Sequence, residues 1–149
     1  MEERFQIFTV LIASINRSIK KIKTEEMAEF NLKSPHVSCL YYLHKNDGLT
    51  AKELCDICEE DKANVSRSVD FLEDNGYIAS SSQTVKKYRS PLRLTEKGQE
   101  VGRLIAEKVD RVLDLAGEGL SDEHRAVMYQ SLALVNTNLQ KICLKYDNK

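Results

Sequence analysis

Two apolar seams, one toward each end of the chain, constrain this sequence most. Phe5, Phe8, Ile12, Ile15, Ile19 and Ile22 are spaced 3, 4, 3, 4, 3. That is the a/d repeat of a helix packing along one stripe. Met128, Leu132, Val135, Leu139, Ile142 and Tyr146 repeat the pattern with spacings 4, 3, 4, 3, 4. A third amphipathic helix, about 96–116, aligns Val101, Ile105, Val109, Val112 and Ala116. Such stripes pack within one chain or against a second copy. In 149 residues the short middle segment cannot cover both seams, so a homodimer is expected. Six Gly and two Pro are too few turn-formers for a many-stranded β fold.

The middle, 34–95, is built differently. Ser34-Pro35 reads as an N-cap with Pro in the first turn of a helix running to about Lys45. That helix turns Val37, Leu40, Tyr41 and Leu43 inward, and Asn46-Asp47-Gly48 ends it. Thr50 and Glu53 have capping-box spacing for a short helix with Leu54 and Cys58 on its inner face. Asp61 can cap a further helix, about 62–75, that buries Val65, Val69 and Leu72. Asn75-Gly76 stops it, Gly supplying the left-handed residue. The period then changes. Tyr77-Ile78-Ala79 and Leu92-Arg93-Leu94 read as two short strands around a polar, basic stretch, and Thr95 caps the next helix. Helix, short turn, helix and hairpin in that order outline a winged helix-turn-helix. The expected fold is therefore mainly α with a small β-hairpin wing. Its parts are an N-terminal dimerisation helix and linker (1–33), the winged helix-turn-helix (34–95) and C-terminal dimerisation helices (96–149).

A net charge of −1 is a poor credential for holding phosphates until it is divided along the chain. Residues 1–49 carry +1, 50–75 carry −5, 76–95 carry +4 and 96–149 carry −1. The hairpin segment holds Lys86, Lys87, Arg89 and Arg93 and no acid. Lysines at a hairpin tip can simply protect sheet edges. Beside a helix-turn-helix pattern, a wing that contacts a nucleic-acid backbone is the better reading. With Val65, Val69 and Leu72 inward, Lys62, Asn64, Ser66, Arg67 and Asp70 lie on more exposed faces. An amide, a hydroxyl and a guanidinium are groups that read major-groove base edges. Asp70, Glu73 and Asp74 fall toward the other end of the helix, leaving its N-terminal half to approach DNA.

Those residues resemble the MarR family of winged-helix regulators over nearly the whole chain. The most specific stretch runs from Thr50-Ala-Lys-Glu-Leu54-Cys55 through Val65-Ser66-Arg67-Ser68-Val69-Asp70 to Leu72-Glu73, Gly76 and Ile78. Leu92-Arg93-Leu94-Thr95-Glu96-Lys97-Gly98 resembles the family's exit from the wing, and Gly119-Leu120-Ser121-Asp122-Glu123 the start of its last helix. The resemblance implies a dimer joined by its first and last helices, a pseudo-palindromic double-stranded DNA partner and a small-molecule effector. It also implies regulation of transcription, repression being the commoner mode. It puts Asn64, Ser66 and Arg67 on recognition-helix positions. The expected DNA-contacting set is thus Lys62, Asn64, Ser66, Arg67, Lys86, Lys87 and Arg89. The wing departs from the pattern. The family's Asp-x-Arg, eight and six residues before the Leu of Leu-Thr, is replaced by Lys86, Lys87 and Tyr88. Either Arg89 serves as the wing Arg in a shifted hairpin, or the wing makes mainly phosphate contacts. Glu59 stands where the turn often has Gly.

Rival chemistries are weaker. Cys55 and Cys58 form one CxxC, whereas a structural zinc site needs four ligands, so no metal is expected. Both Cys align with packing positions, and a thiol-based redox sensor is the minority reading. A protein-interaction module is the rival from another class. His36 and His44 lie eight apart, a poor shared ligand face, and no HxxxH is present. His36, early in its helix, is the His best placed to face an effector pocket. No GxSxG, Gly-rich phosphate loop or nucleophile constellation occurs, so neither catalysis nor a cofactor is expected. The N-terminal residues lack a basic stretch followed by a clean apolar run, and no run nears the roughly 20 residues of a membrane span. A cytoplasmic location with reduced thiols follows as the expectation.

Overall fold

A computed structural model describes residues 3–79 and 89–148. The chain forms two compact units, Met1–Val109 and Asp110–Lys149. The first contains α1 (Arg4–Gln6), a π-helical turn (Ile7–Leu11), α2 (Ile12–Glu26), a 3-10 turn (Ala28–Phe30), α3 (Ser34–Lys45), α4 (Ala51–Ile57) and α5 (Lys62–Asp74). The helix α6 (Glu96–Ala116) begins in the first unit and ends in the second, which also holds α7 (Asp122–Asp147).

The core of the first unit is a cluster drawn from α3, α4, α5, the first half of α6 and the segments that connect them. Leu40, Leu54, Leu72 and Ile105 are essentially inaccessible to solvent, as are Met27 and Leu32, which flank the 3-10 turn. The inward positions Val37, Leu40, Leu43, Val65, Val69 and Leu72 are all buried as their spacing requires, while Tyr41 packs partly buried against the cluster. Val101 and Ile105 of α6 join that core.

Local signals set the helix ends. Thr50 Oγ1 accepts from the Glu53 N–H at 3.1 Å, and Glu53 Oε2 accepts from the Thr50 N–H at 2.9 Å, a closed capping box. Asp61 accepts from the Asn64 N–H at 2.7 Å and starts α5. At its other end the Gly76 N–H reaches Glu73 O and the Tyr77 N–H reaches Leu72 O, with Gly76 at φ +78°. This is the Schellman arrangement, for which glycine has no steric penalty. One start differs from expectation: Ser34 is the first residue of α3, not its cap, and Lys33 takes the cap position. Ser34 is buried with its N–H on Thr24 Oγ1, and the acceptor for the Lys33 N–H is His36 Nδ1 at 3.1 Å.

Of the expected wing, the described residues hold a single β-bridge. Ile78 and Leu94 form one antiparallel bridge, flanked by Ala79 N–H to Arg93 O at 2.8 Å and Thr95 N–H to Tyr77 O at 3.0 Å. Among the described residues no strand forms beyond this bridge, so the expected β-hairpin is not established by them. The expected tip, within 80–88, lies outside the described residues.

Both seams face solvent within their own units. Phe5, Phe8, Ile12, Ile15, Ile19 and Ile22 are all exposed, and so are Met128, Leu132, Leu139, Ile142 and Tyr146; Val135 is half-buried.

Candidate nucleic-acid interface

The candidate interface is built on α5. Burying Val65, Ser68, Val69 and Leu72 pins one face of this helix to the core. The opposite face carries Lys62, Ser66 and Arg67 into solvent, with Asn64 half-buried at its margin. These four lie in the first two turns, and Asp61 satisfies only one of the exposed backbone N–H groups there. The N-terminal end keeps the positive end of the helix dipole.

Two of the four residues are joined. The Arg67 guanidinium donates to Asn64 Oδ1, while Asn64 Nδ2 donates to Glu60 Oε2 at 3.1 Å. Lys62 lies on a second surface, a groove of about 560 Å³ lined also by Thr50, Lys52, Glu53, Asp56 and Arg89. Arg89 is exposed there, so the structure brings one basic residue of the expected wing segment to the start of α5. Lys86 and Lys87 lie outside the described residues. Arg93 is engaged elsewhere: it meets Asp47 at 3.0 Å and crosses Gly48, whose φ is +79°.

A cleft of about 460 Å³ opens between the start of α3 and the face of α5. Its walls include Lys33, His36, Asn64, Arg67 and Phe71. The His36 and Phe71 rings stack in parallel with centroids 4.0 Å apart. Burial and the nearby Lys33 charge hold the His36 imidazole below its ordinary range, which keeps Nδ1 available as an acceptor.

The turn preceding α5 is anchored to α2. Glu59 Oε1 accepts from Lys23 Nζ at 2.5 Å and from Ser38 Oγ at 2.5 Å. Partial burial pushes the Glu59 carboxyl up, but these hydrogen bonds outweigh it and hold the group below its ordinary range. The residue that departs from the usual Gly thus ties the turn down. Sequence reasoning missed this triad, the His36–Phe71 stack and the Glu60–Asn64 bond. Only the last carried a signal, the four-residue spacing.

Two of the thiols, Cys39 and Cys58, offer little nucleophilic character. Burial, with Cys58 nearby, pushes the Cys39 thiol up to about 12, and burial raises Cys58 as well. A protonated thiol is a poor redox nucleophile. No helix among the described residues is long and apolar enough to cross a membrane.

Residues 30–87 match the sequence model of the MarR family. Over 98 residues the chain is 24% identical to the HTH-type transcriptional regulator BilQ of Clostridioides difficile (strain CD3). That match spans 66% of this chain and 66% of BilQ. Among solved structures, a MarR family transcriptional regulator from Listeria monocytogenes complexed with 26mer DNA superposes with a TM-score of 0.83. It is 26% identical, over 100% of this chain and 97% of that one. A MarR protein from Peptoclostridium difficile has a TM-score of 0.82 at 22% identity, over 97% and 96% of the two chains. The matched segment contains the capping box, the turn and the whole of α5, and the likeness in fold to the Listeria regulator extends along the full chain: residues 30–87 carry the sequence pattern of the MarR family.

Proposed function

We propose that the protein is a homodimeric transcriptional regulator that binds a pseudo-palindromic site on double-stranded DNA. The observation that carries this reading is the two-faced α5. It is locked to the core on one side and presents Asn64, Ser66 and Arg67 from its N-terminal half on the other. The Listeria regulator, alike over its whole length and complexed with DNA, supports it. Each α5 enters a major groove, with half-site centres about 34–36 Å apart or a multiple of that. Asn64, Ser66 and Arg67 read base edges or adjoining phosphates. Lys62, Lys86, Lys87 and Arg89 hold phosphate or reach the minor groove.

Residues 1–33 and 96–149 serve dimerisation, and 34–95 is the DNA-binding part. The cleft beside His36 offers a cation, an aromatic wall and an amide to a small effector. An effector changes DNA affinity only if it binds one arrangement of the two heads better than the other. Repression by occluding polymerase is the expected mode.

The test is titration of duplex DNA at two or more salt concentrations. Arg67→Ala is expected to weaken binding to the selected site and relax discrimination at one base position. Lys87→Ala is expected to weaken binding to every sequence and lower the salt slope by about one for each protomer. If both variants bind selected and random duplex as wild type does, the site assignment fails.

A further inference from the structure

We propose that Glu60 is a positioning residue for base readout, orienting the Asn64 amide and through it the Arg67 guanidinium. This rests on the reading of α5 as the recognition helix. The three side chains form one chain of hydrogen bonds: carboxylate, amide, guanidinium. Glu60 stands just ahead of the Asp61 cap, where the turn leads into α5, and Asn64 and Arg67 are three apart on one face of that helix.

The order of these groups leaves the amide one orientation. Its NH2 must face the carboxylate, which only accepts, and its oxygen must face the guanidinium, which only donates. A flipped amide would set donor against donor and acceptor against acceptor. The Asn64 backbone is held as well, because its N–H is fixed by Asp61 at 2.7 Å. Glu60 is half-buried, and its carbonyl oxygen is near the Cys58 thiol. The amide nitrogen keeps a second N–H and the oxygen a second lone pair. Adenine presents an acceptor and a donor side by side, so an amide reads it only when turned the right way. Guanine needs two guanidinium N–H groups aimed together. Orienting both groups before contact removes rotamer entropy that binding would otherwise lose.

The same carboxylate repels phosphate. Glu60 belongs to the stretch 50–75 that carries −5, so its charge weakens binding to any duplex alike. The residue therefore trades general affinity for discrimination, and the two roles separate by substitution. Glutamine keeps an oxygen that accepts from Asn64 Nδ2 and loses the charge; alanine loses both.

The experiment selects a site from a random duplex library with wild-type protein. It then measures every single-base variant of that site, and a random duplex, against wild type, Glu60→Gln, Glu60→Ala, Asn64→Ala and Glu60→Ala/Asn64→Ala. Glu60→Ala is expected to bind random duplex at least as tightly as wild type while losing about 10-fold of base preference at one or two positions per half-site. Glu60→Gln is expected to keep the preference and also bind random duplex more tightly. The double variant is expected to discriminate no worse than Asn64→Ala, because the two residues act in series. Unchanged preference in Glu60→Ala overturns the proposal. So does an equal loss on selected and random duplex, or a Glu60→Gln that discriminates as poorly as Glu60→Ala. A wild-type protein that enriches no sequence overturns the regulator reading and the proposal with it.

Discussion

Gly98 sits in the first turn of α6, beside the Ile78–Leu94 bridge, and adding one methyl group there sets two effects against each other. A β-carbon on Gly98 would lie 2.0 Å from the Tyr77 carbonyl oxygen, 3.0 Å from its carbonyl carbon and 3.2 Å from Leu94 Cβ. The Tyr77 oxygen is tethered, accepting from the Thr95 N–H at 3.0 Å and from the Thr95 hydroxyl at 3.3 Å. The neighbouring Ile78 and Leu94 pair across that bridge, so neither side can withdraw without opening it. Helix propensity points the other way, favouring Ala over Gly by roughly 0.8–1 kcal/mol. Overpacking costs about 1–3 kcal/mol, and each Thr95 bond lost in relieving it costs about 1 kcal/mol more. The contact wins, and Gly98→Ala is expected to be less stable than wild type by about 1–3 kcal/mol. For a chain of this size each kcal/mol is a drop of roughly 2–4 °C in Tm. Urea unfolding at one fixed protein concentration measures it, since association also shifts the midpoint. A Gly98→Ala midpoint at or above wild type would refute the reasoning, because propensity alone would then be governing the site.

Two further outcomes concern α3 and α4. Thr50→Ala removes the side-chain acceptor of a closed capping box and is expected to cost about 1 kcal/mol in the same assay, whereas Thr50→Ser is expected to cost little. His36 has its pKa depressed in the folded chain, so the unfolded chain binds that proton more readily. Stability contributed by the neutral ring is therefore present above pH 6.5 and lost as pH falls below it. His36→Gln, which keeps an acceptor for the Lys33 N–H but does not titrate, is expected to flatten the urea midpoint between pH 7.5 and roughly pH 5. Equal pH dependence in both proteins would remove His36 from that account.

What was legible in the sequence was what depends on near neighbours. The Thr50–Glu53 box, the Asp61 cap and the Gly76 stop each involve residues within a few positions, and spacing alone declares them. The buried faces of α3 and α5 followed from period, because one wrong step would have put charge in the core. Distant pairings left no such trace. Lys23, Ser38 and Glu59 are separated by 15 and 21 positions, and nothing in any one of them names the others. Cys39 is fully buried although it does not belong to the most obvious apolar stripe of α3, because α5 covers a second face of that helix. Ser34 looked like a cap by residue type. Tertiary contact with Thr24 drew it inside, and local preference yielded.

The exposed seams carry the remaining consequence. Eleven of their twelve residues are exposed within one chain, far more ordered apolar stripe than scattered surface Leu and Ile would explain. Ile19 is 42% exposed and Ile142 47%, so each stands to gain burial against a second copy. Replacing Ile19 with Glu forfeits that burial, about 1 kcal/mol in each protomer. It also obliges a carboxylate in each protomer to leave water, at several kcal/mol unless it is paired. The substitution occurs twice in a symmetric dimer, so a loss of about 4 kcal/mol is a conservative sum, close to a thousand-fold in Kd. Sedimentation at micromolar concentration is expected to give a dimer mass for wild type and a monomer mass for Ile19→Glu, with Ile142→Glu testing the C-terminal seam in the same way. DNA binding should fall with assembly. A chain whose charge sums to −1 has little electrostatic affinity to spare, so one head alone would hold its half-site weakly. Linking two heads makes the second contact effectively intramolecular. Ile19→Glu should therefore lose most of its affinity for a two-half-site duplex while binding a single half-site as wild type does. A monomeric wild type, or an Ile19→Glu protein that stays dimeric and keeps two-site affinity, would show that the seams do something other than join two copies.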